Sequence, residues 1–471
     1  MSYTIPEEYY FRLHHVRPRF KNDVESVLLY FAESVSSLGR LPNRDFAAKL
    51  NKSLYKYPGN ATKTVKTINN WRTEISALFG FVIADEDVSE AGLRAKELAE
   101  TGDLVQAFKK FLYTFQYPGA HIKPNENLEL IENGISFKPA QAILKIINAA
   151  EQTENKRIGL TKGEICHCIF NDLRCTRDNE LPDKTWQRIK SNREHDVEYN
   201  TKGDIIRYAG DIVDYMEFAN LLTSYDHKTY YINNLEKEMV LKFIGSKEWY
   251  SAYDKMIDAK SATLDAIKEC TKGWLKYVNR DFNETDFATD ILAFLSNDTE
   301  EYEHMKEKSV EVFSKQLETE TSVSAKDIGD MGEGLVYGHE CQKLKNGERA
   351  DLIHLVKRIP TQLAVGYDIQ SVELDEQKRY IEVKTTISMK PLTFNKIHLT
   401  TNEWSTADTM RDRYFVYRLA LNKEERKLFI IQDPVTLYKN DVISMVPREG
   451  ADITFNPDTA GEFEELLIWK N

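Results

Sequence analysis

Residue usage changes character once along this chain, and that change limits the folds open to it. Up to about Val365, apolar residues recur every three or four positions, the period of a helix with one buried face. From there onward, short runs such as "RYIEVKTT", "RYFVYRLAL" and "KLFIIQDP" are rich in β-branched and aromatic residues bounded by turns, which is strand composition. The expected architecture is multidomain: a mainly α N-terminal region followed by a C-terminal α/β domain in which helices pack on a mixed sheet.

A length of 471 residues fits two to four domains. The divisions read from the sequence are 1–115, 116–245, a helical connector over 246–320, and 321–471. With 41% hydrophobic and 11% aromatic residues the chain can fill several cores. Its net charge of −12 argues against a uniformly basic surface but leaves room for a local basic face. The N-terminal "MSYTIPEEYYFRLHHVRPRF" has no signal-peptide core, and no run of about 18 apolar residues suggests a membrane span. Cys166, Cys168, Cys175, Cys270 and Cys341 are odd in number and scattered, which suits a reducing cytoplasm better than a disulfide framework.

Residues 22 to 100 spell three helices and then a strand pair, the order of elements in a winged helix. Asn43 is placed to cap the second helix. The third, over Asn60 to Phe79, is expected to bury a stripe of Ala61, Val65, Ile68, Trp71, Ile75 and Leu78. Its other face carries Lys63, Lys66, Thr67, Asn70 and Arg72, a mix of cations, amides and hydroxyls suited to phosphates and base edges. Between residues 40 and 72 the basic residues meet only one acid, Asp45. The bland alternative is a solvated basic face. The same order of elements recurs more weakly over about 140 to 245, where "LPDKTWQRIKSNREH" offers Lys184, Arg188, Lys190 and Arg193 as nucleic-acid contacts. The stretch "ETETSVSAKD" reads as a linker.

The chemistry concentrates in "GYDIQSVELDEQKRYIEVKTT". Asp368 precedes a turn, and Glu382 and Lys384 follow it two residues apart, so strand alternation puts both on one face and a hairpin brings Asp368 beside them. Facing carboxylates raise each other's pKa unless a cation intervenes, and oxygen ligands suit Mg²⁺. A neighbouring ammonium can orient a water for attack on phosphorus. The alternative is a solvated hairpin in which Lys384 pairs with one of the acids. Cys166, His167, Cys168 and Cys175 suggest zinc at first sight, but i and i+2 positions on a helix diverge, and a structural role is the better reading. His14 and His15 read as surface groups.

The pattern Asp…Glu-x-Lys with an upstream helical Glu333 in "GDMGEGLVY" resembles the PD-(D/E)XK nuclease superfamily. More specifically, "GEGLVY…GYDI…RYIEVKTT…LTTNEWSTA…YFVYRL" resembles the C-terminal domain of NO VEIN-type proteins over about the last 150 residues. The resemblance implies Mg²⁺ held by Asp368, Glu382 and Val383, water positioned by Lys384, and support from Glu333. Asn402 and Glu403 would be structural or catalytic auxiliaries. Gly366 and Tyr367 stand where the namesake motif has proline. Two winged-helix candidates ahead of such a domain resemble, in layout, type II restriction endonucleases such as FokI and BpuJI. That layout implies double-stranded DNA as substrate and a homodimer during cleavage. A nuclease that reads modified DNA, and a DNA-binding regulator with an inactive nuclease-like domain, are the alternatives.

Overall fold

The computed structural model describes residues 2–13, 23–282, 287–314, 328–360, 363–393 and 395–466. His14, His15 and the "ETETSVSAKD" stretch lie outside the described residues. The chain forms two compact units, Met1–Ala99 with Val105–Phe287, and Glu100–Leu104 with Ala288–Asn471. The helices of the 246–320 stretch divide between them, Leu264–Val278 in the first and Thr299–Ser314 in the second. Among the described residues no helix is long and apolar enough to cross a membrane.

The first unit opens with the helices Val24–Ser36, Asn43–Lys56 and Val65–Phe79. Short strands β1 (Leu41–Pro42), β2 (Val82–Ala84) and β3 (Val88–Ala91) form an antiparallel sheet in the order β1-β3-β2. The third helix begins later than the spacing suggests. Buried Asn60 donates to the Leu54 carbonyl at 2.9 Å and holds a turn there, and the Thr64 side chain caps the helix by accepting from Thr67 N. Ala61 therefore lies before the helix, and Val65 at its first turn is 63% exposed, while Ile68, Trp71, Ile75 and Leu78 form the buried stripe. Asn43 is not a cap either. Its amide donates to the carbonyls of Asp85 and Glu86, and its oxygen accepts from Ser89, so it ties the second helix to the β2–β3 hairpin.

The same plan appears again. After the helix Pro139–Glu154 come β4 (Gly159–Thr161), the helices Pro182–Glu194 and Asp204–Phe218, then β5 (Leu222–Thr223) and β6 (Thr229–Ile232), with sheet order β4-β6-β5. In both sheets the strand met last lies between the other two. Cys166 and Cys168 are buried on a single π-helical turn, and burial pushes the thiols of Cys166, Cys168 and Cys175 up to about 12, 11 and 12.

Aromatic rings fill the core of this unit. Phe79 lies 5.7, 5.6 and 4.5 Å from Phe81, Phe108 and Phe111, and Phe108 stacks on Tyr215 at 5.8 Å. Trp274 is buried against Tyr250, Tyr277 and His121, and its indole N–H donates to the Ala77 carbonyl at 2.7 Å. Trp274→Ala is expected to lower stability by about 3–5 kcal/mol, from lost ring burial and a carbonyl left without its donor. Urea denaturation followed by circular dichroism measures it.

The second unit contains β7 (Lys357–Arg358), β8 (Ile369–Val372), β9 (Lys378–Ile387), β10 (Lys396–Thr400), β11 (Tyr414–Leu421), β12 (Arg426–Gln432), β13 (Ile443–Pro447), β14 (Gly450–Phe455) and β15 (Glu462–Glu465). Six of them make the central sheet, β15-β12-β11-β9-β8-β7, mixed because β9 and β11 run parallel. The crossover between these two carries β10 and the helix Thr401–Met410. The smaller sheet, β10-β14-β13, packs Ile397, Leu399, Ala451 and Ile453 against Tyr414, Val416, Phe429 and Ile431 of the large one.

The opposite face of the central sheet takes the helix Ile328–Asn346. A Cβ on Gly332 would lie 1.9 Å from Thr385 Oγ1, so the helix rests directly on β9 there. Two turns further on, Glu340 accepts from the Tyr417 hydroxyl at 2.8 Å. By strand alternation Thr385 and Tyr417 point away from the face that carries Glu382 and Lys384.

Candidate active site

The β8–β9 pairing sets the site. Its register places Ile369 against Ile381, which brings Asp368, the residue just before β8, level with Glu382. The Asp368 N–H donates to the Ile381 carbonyl at 2.9 Å, and Val383 N–H donates to Asp368 Oδ2 at 2.8 Å. Glu382, only 4% exposed, accepts from Lys384 Nζ at 2.7 Å. The same ammonium reaches Glu403 Oε2 at 3.0 Å.

Glu403 is positioned by its helix. It is the third residue of a capping box, in which Thr400 Oγ1 accepts from Glu403 N and Glu403 Oε2 accepts from Thr400 N. Its carboxylate is thus fixed before it meets Lys384. Asn402 acts differently. Its amide donates to the Ala364 carbonyl at 2.6 Å, and Thr406 donates to Val365 O at 3.1 Å. With Tyr414, whose hydroxyl donates to Gly366 O at 3.0 Å, they clamp the segment that leads into Asp368. Gly366 has φ +80°, and a Cβ there would meet Thr406 Oγ1 at 2.4 Å and the Asn402 carbonyl at 2.9 Å. The departure from the namesake motif is therefore a site where only glycine fits.

Glu333 comes from the opposite face and pairs with Arg358 at 2.6 Å, while Arg358 also reaches Asp330 at 3.1 Å. Neither Arg358 nor Asp330 stands out in the sequence, because each gains meaning only from residues about 25 positions or more away.

Four carboxylates, Glu333, Asp368, Glu382 and Glu403, share two cations. Burial raises the Glu382 pKa well above its ordinary value, and the Asp368 and Glu403 charges add to this against the Lys384 ammonium. Burial also raises Asp368, partly offset by the Val383 N–H. Burial disfavours the Lys384 ammonium, but Glu382 and Glu403 outweigh it, so its pKa is raised and it stays charged. Burial likewise opposes the Glu403 charge, yet Lys384 and the Thr400 bonds hold its pKa down.

Glu333 is pushed up to about 7 by burial and then by Asp368. An unfolded glutamate titrates near 4.5, so between that value and 7 the unfolded chain ionises while the folded site keeps its proton. Stability then falls as pH rises through that window and stays lowered above it. Glu333→Gln, compared with wild type in metal-free buffer, is expected to raise the melting temperature at pH 8 and leave it unchanged at pH 4. Differential scanning calorimetry at the two pH values checks the sign.

The cluster can relieve its excess negative charge in one further way. Among the described residues no set of three or more His, Cys, Asp and Glu side chains forms a ready cage. A Mg²⁺ ion does not need one, since one or two carboxylates with waters commonly suffice. Asp368 and Glu382 offer oxygen donors on adjacent strand positions, with Val383 between Glu382 and Lys384, and that donor set fits a hard divalent ion.

The basic residues named from the sequence are placed less uniformly. Lys66 is exposed at the start of its helix, and Thr67 and Asn70 are half-buried beside it. Lys63 sits over the Trp71 ring at 4.4 Å. Arg72 turns inward, donating to Asn51 Oδ1 at 3.0 Å. In the second set Lys184 is exposed, but Arg188 pairs with Glu180 and Asp172, Lys190 with Glu154, and Arg193 with Glu164.

Residues 3–275, over half the chain, match the family described as restriction endonuclease BpuJI, N-terminal. The protein belongs to that family. Residues 332–431, which hold the carboxylate–lysine cluster, match the family described as protein NO VEIN, C-terminal. The layout expected from the sequence, a BpuJI-like region followed by a NO VEIN-like one, is therefore present. Among solved structures the chain is similar to the BpuJ1 endonuclease binding domain, determined in complex with pyrene- and phenanthrene-modified DNA. The two share 24% identity and a TM-score of 0.52, over 59% of this chain and all of that one. At that identity the likeness is one of fold. No curated protein matches the chain.

Proposed function

We propose that the protein is a divalent-metal-dependent endonuclease of the type II restriction class that cuts double-stranded DNA at a specific sequence. The observation that carries the reading is the convergence of Asp368, Glu382 and Lys384 on one face of the central sheet, within 3 Å hydrogen-bonding reach of their neighbours, in a chain whose N-terminal half belongs to a restriction-endonuclease family. A PD-(D/E)XK fold for the second unit accords with its helix–sheet–helix arrangement. The repeated helix–strand–helix–strand-pair plan of the first unit supports a pair of winged-helix modules that hold the DNA.

In this reading Asp368 and Glu382 are the residues that would hold the ion. Bound there, Mg²⁺ would supply positive charge against the negative charge that builds up during hydrolysis and would make water more acidic. Lys384 keeps its proton and donates to the attacking water, aiming a lone pair at phosphorus. Glu403 fixes where that ammonium points. Arg358 neutralises Glu333 and keeps its carboxylate turned toward Asp368. Each unit of this kind cuts one strand, so a double-strand break comes from pairing of two copies on the DNA or from sequential nicking.

Digestion of unmodified and methylated plasmid in Mg²⁺, with the ends mapped by sequencing, tests the proposal. Discrete fragments from unmodified DNA are expected. Cutting of methylated DNA alone would make the protein a modification-dependent nuclease, and no cutting of either would favour a DNA-binding regulator.

A further inference from the structure

Most cations that the sequence puts forward in the second half of the first unit are already neutralised. Arg188, Lys190 and Arg193 each face a carboxylate within 2.5–2.8 Å. An arginine that attracts no notice in the sequence is placed quite differently. Arg157 lies just before β4, exposed, and its guanidinium is held by the β5–β6 hairpin. One amino group donates to the Tyr225 hydroxyl at 2.9 Å, and the other to the Ile232 carbonyl at 3.3 Å. The guanidinium also lies 5.4 and 5.2 Å from the rings of Tyr225 and Tyr231.

Among the described residues Arg157 has no ion-pair partner. Two of its five N–H groups donate to neutral oxygens, which leaves the charge in place, and the Glu151 carboxylate acts on it only from beyond ion-pairing distance. Tyr225 is 66% exposed, a large ring left in water and kept there by its bond to the arginine. Asp226 shapes the hairpin tip by accepting from Lys228 N at 2.9 Å and Thr229 N at 2.8 Å, and Lys156 and Lys228 stand exposed nearby in the chain. The side chains are thus ordered before anything binds, which lowers the entropic cost of binding. A rigid guanidinium without a direct ion pair, flanked by aromatic rings beside a hairpin tip, suits a phosphodiester: the fork donates to phosphate oxygens, and the ring packs on the adjoining sugar.

We propose that the Arg157–Tyr225–Tyr231 cluster is a contact site for the phosphate backbone of duplex DNA, contributing affinity without reading sequence. The inference rests on the DNA-binding reading of the first unit and places one of its contacts at the hairpin rather than on the Pro182–Glu194 helix.

The test uses the full chain carrying Lys384→Ala, so that the probe is not cut, with a labelled duplex of arbitrary sequence and fluorescence anisotropy from 50 to 200 mM NaCl. Each phosphate contact contributes about 0.9 to the slope of log affinity against log salt. Arg157→Gln is expected to reduce that slope by about 0.9, so its affinity falls roughly threefold to fourfold less over this salt range than the parent's. Tyr225→Ala is expected to shift the slope in the same direction. Lys190→Gln, which removes a cation already paired with Glu154, is expected to leave the slope unchanged. Equal slopes for the parent and Arg157→Gln, with the parent still binding, would overturn the assignment while leaving the DNA-binding reading intact. Failure of the parent to bind any duplex would overturn both.

Discussion

Lys384→Ala is expected to lower the rate of DNA cleavage by about a thousandfold while leaving DNA affinity within about twofold, as expected for a group that positions a reacting water. The ammonium sits between Glu382 and Glu403, at 2.7 and 3.0 Å, and is the only cation in direct contact with Glu382 among the described residues. Its removal also leaves buried carboxylates facing one another, so the variant is expected to melt lower than wild type in metal-free buffer. Added Mg²⁺ then restores part of the melting temperature, because the ion takes over the neutralising role. Lys384→Arg separates the two functions. It keeps the charge, and so the stability, but its planar fork cannot occupy the point between the two acids, and cleavage stays low. Loss of stability without loss of cleavage would make Lys384 a structural counter-ion only.

The second large effect concerns a residue without functional groups. Gly366→Ala is expected to cost about 3 kcal/mol in stability, from a non-glycine residue at positive φ together with overpacking against the Thr401–Met410 helix. The close contacts are backbone as well as side chain, since the Asn402 carbonyl lies 2.9 Å from where the Cβ would be. That contact cannot be relieved by a rotamer change. The displaced segment leads straight into Asp368, so cleavage is expected to fall with stability even where the variant remains folded. Pairing Gly366→Ala with Thr406→Ala removes the nearer of the two clashes, 2.4 Å to Thr406 Oγ1, and is expected to recover part of the stability but little of the activity. Chemical denaturation and single-turnover digestion read the two effects separately.

How much of this was legible in the sequence follows from distance along the chain. Asp368, Glu382 and Lys384 lie within one hairpin, and strand alternation is enough to bring them together. The mixed sheet was legible for the same reason, since each strand carries its own composition. The clamp on Gly366 was not, because Asn402 and Thr406 act across 38 and 41 positions and their partners are backbone carbonyls, which no side-chain pattern reveals. Lys190 and Arg193 of the Pro182–Glu194 helix gave a misleading picture of free charge for a related reason: Glu154 and Glu164, their partners, lie 36 and 29 positions upstream. Periodicity also placed Ala61 and Val65 on the buried stripe. It could not register that a buried asparagine, satisfied by a backbone carbonyl, delays the start of the helix.

The central claim is that the Asp368–Glu382–Lys384 cluster is the centre that breaks the phosphodiester. The most direct measurement is digestion of supercoiled plasmid in Mg²⁺ by wild type and Glu382→Gln, with binding of the same DNA measured in Ca²⁺ for both. The account predicts linear product from wild type, no detectable product from Glu382→Gln, and equal affinity of the two for DNA. Cleavage by Glu382→Gln at the wild-type rate would contradict it.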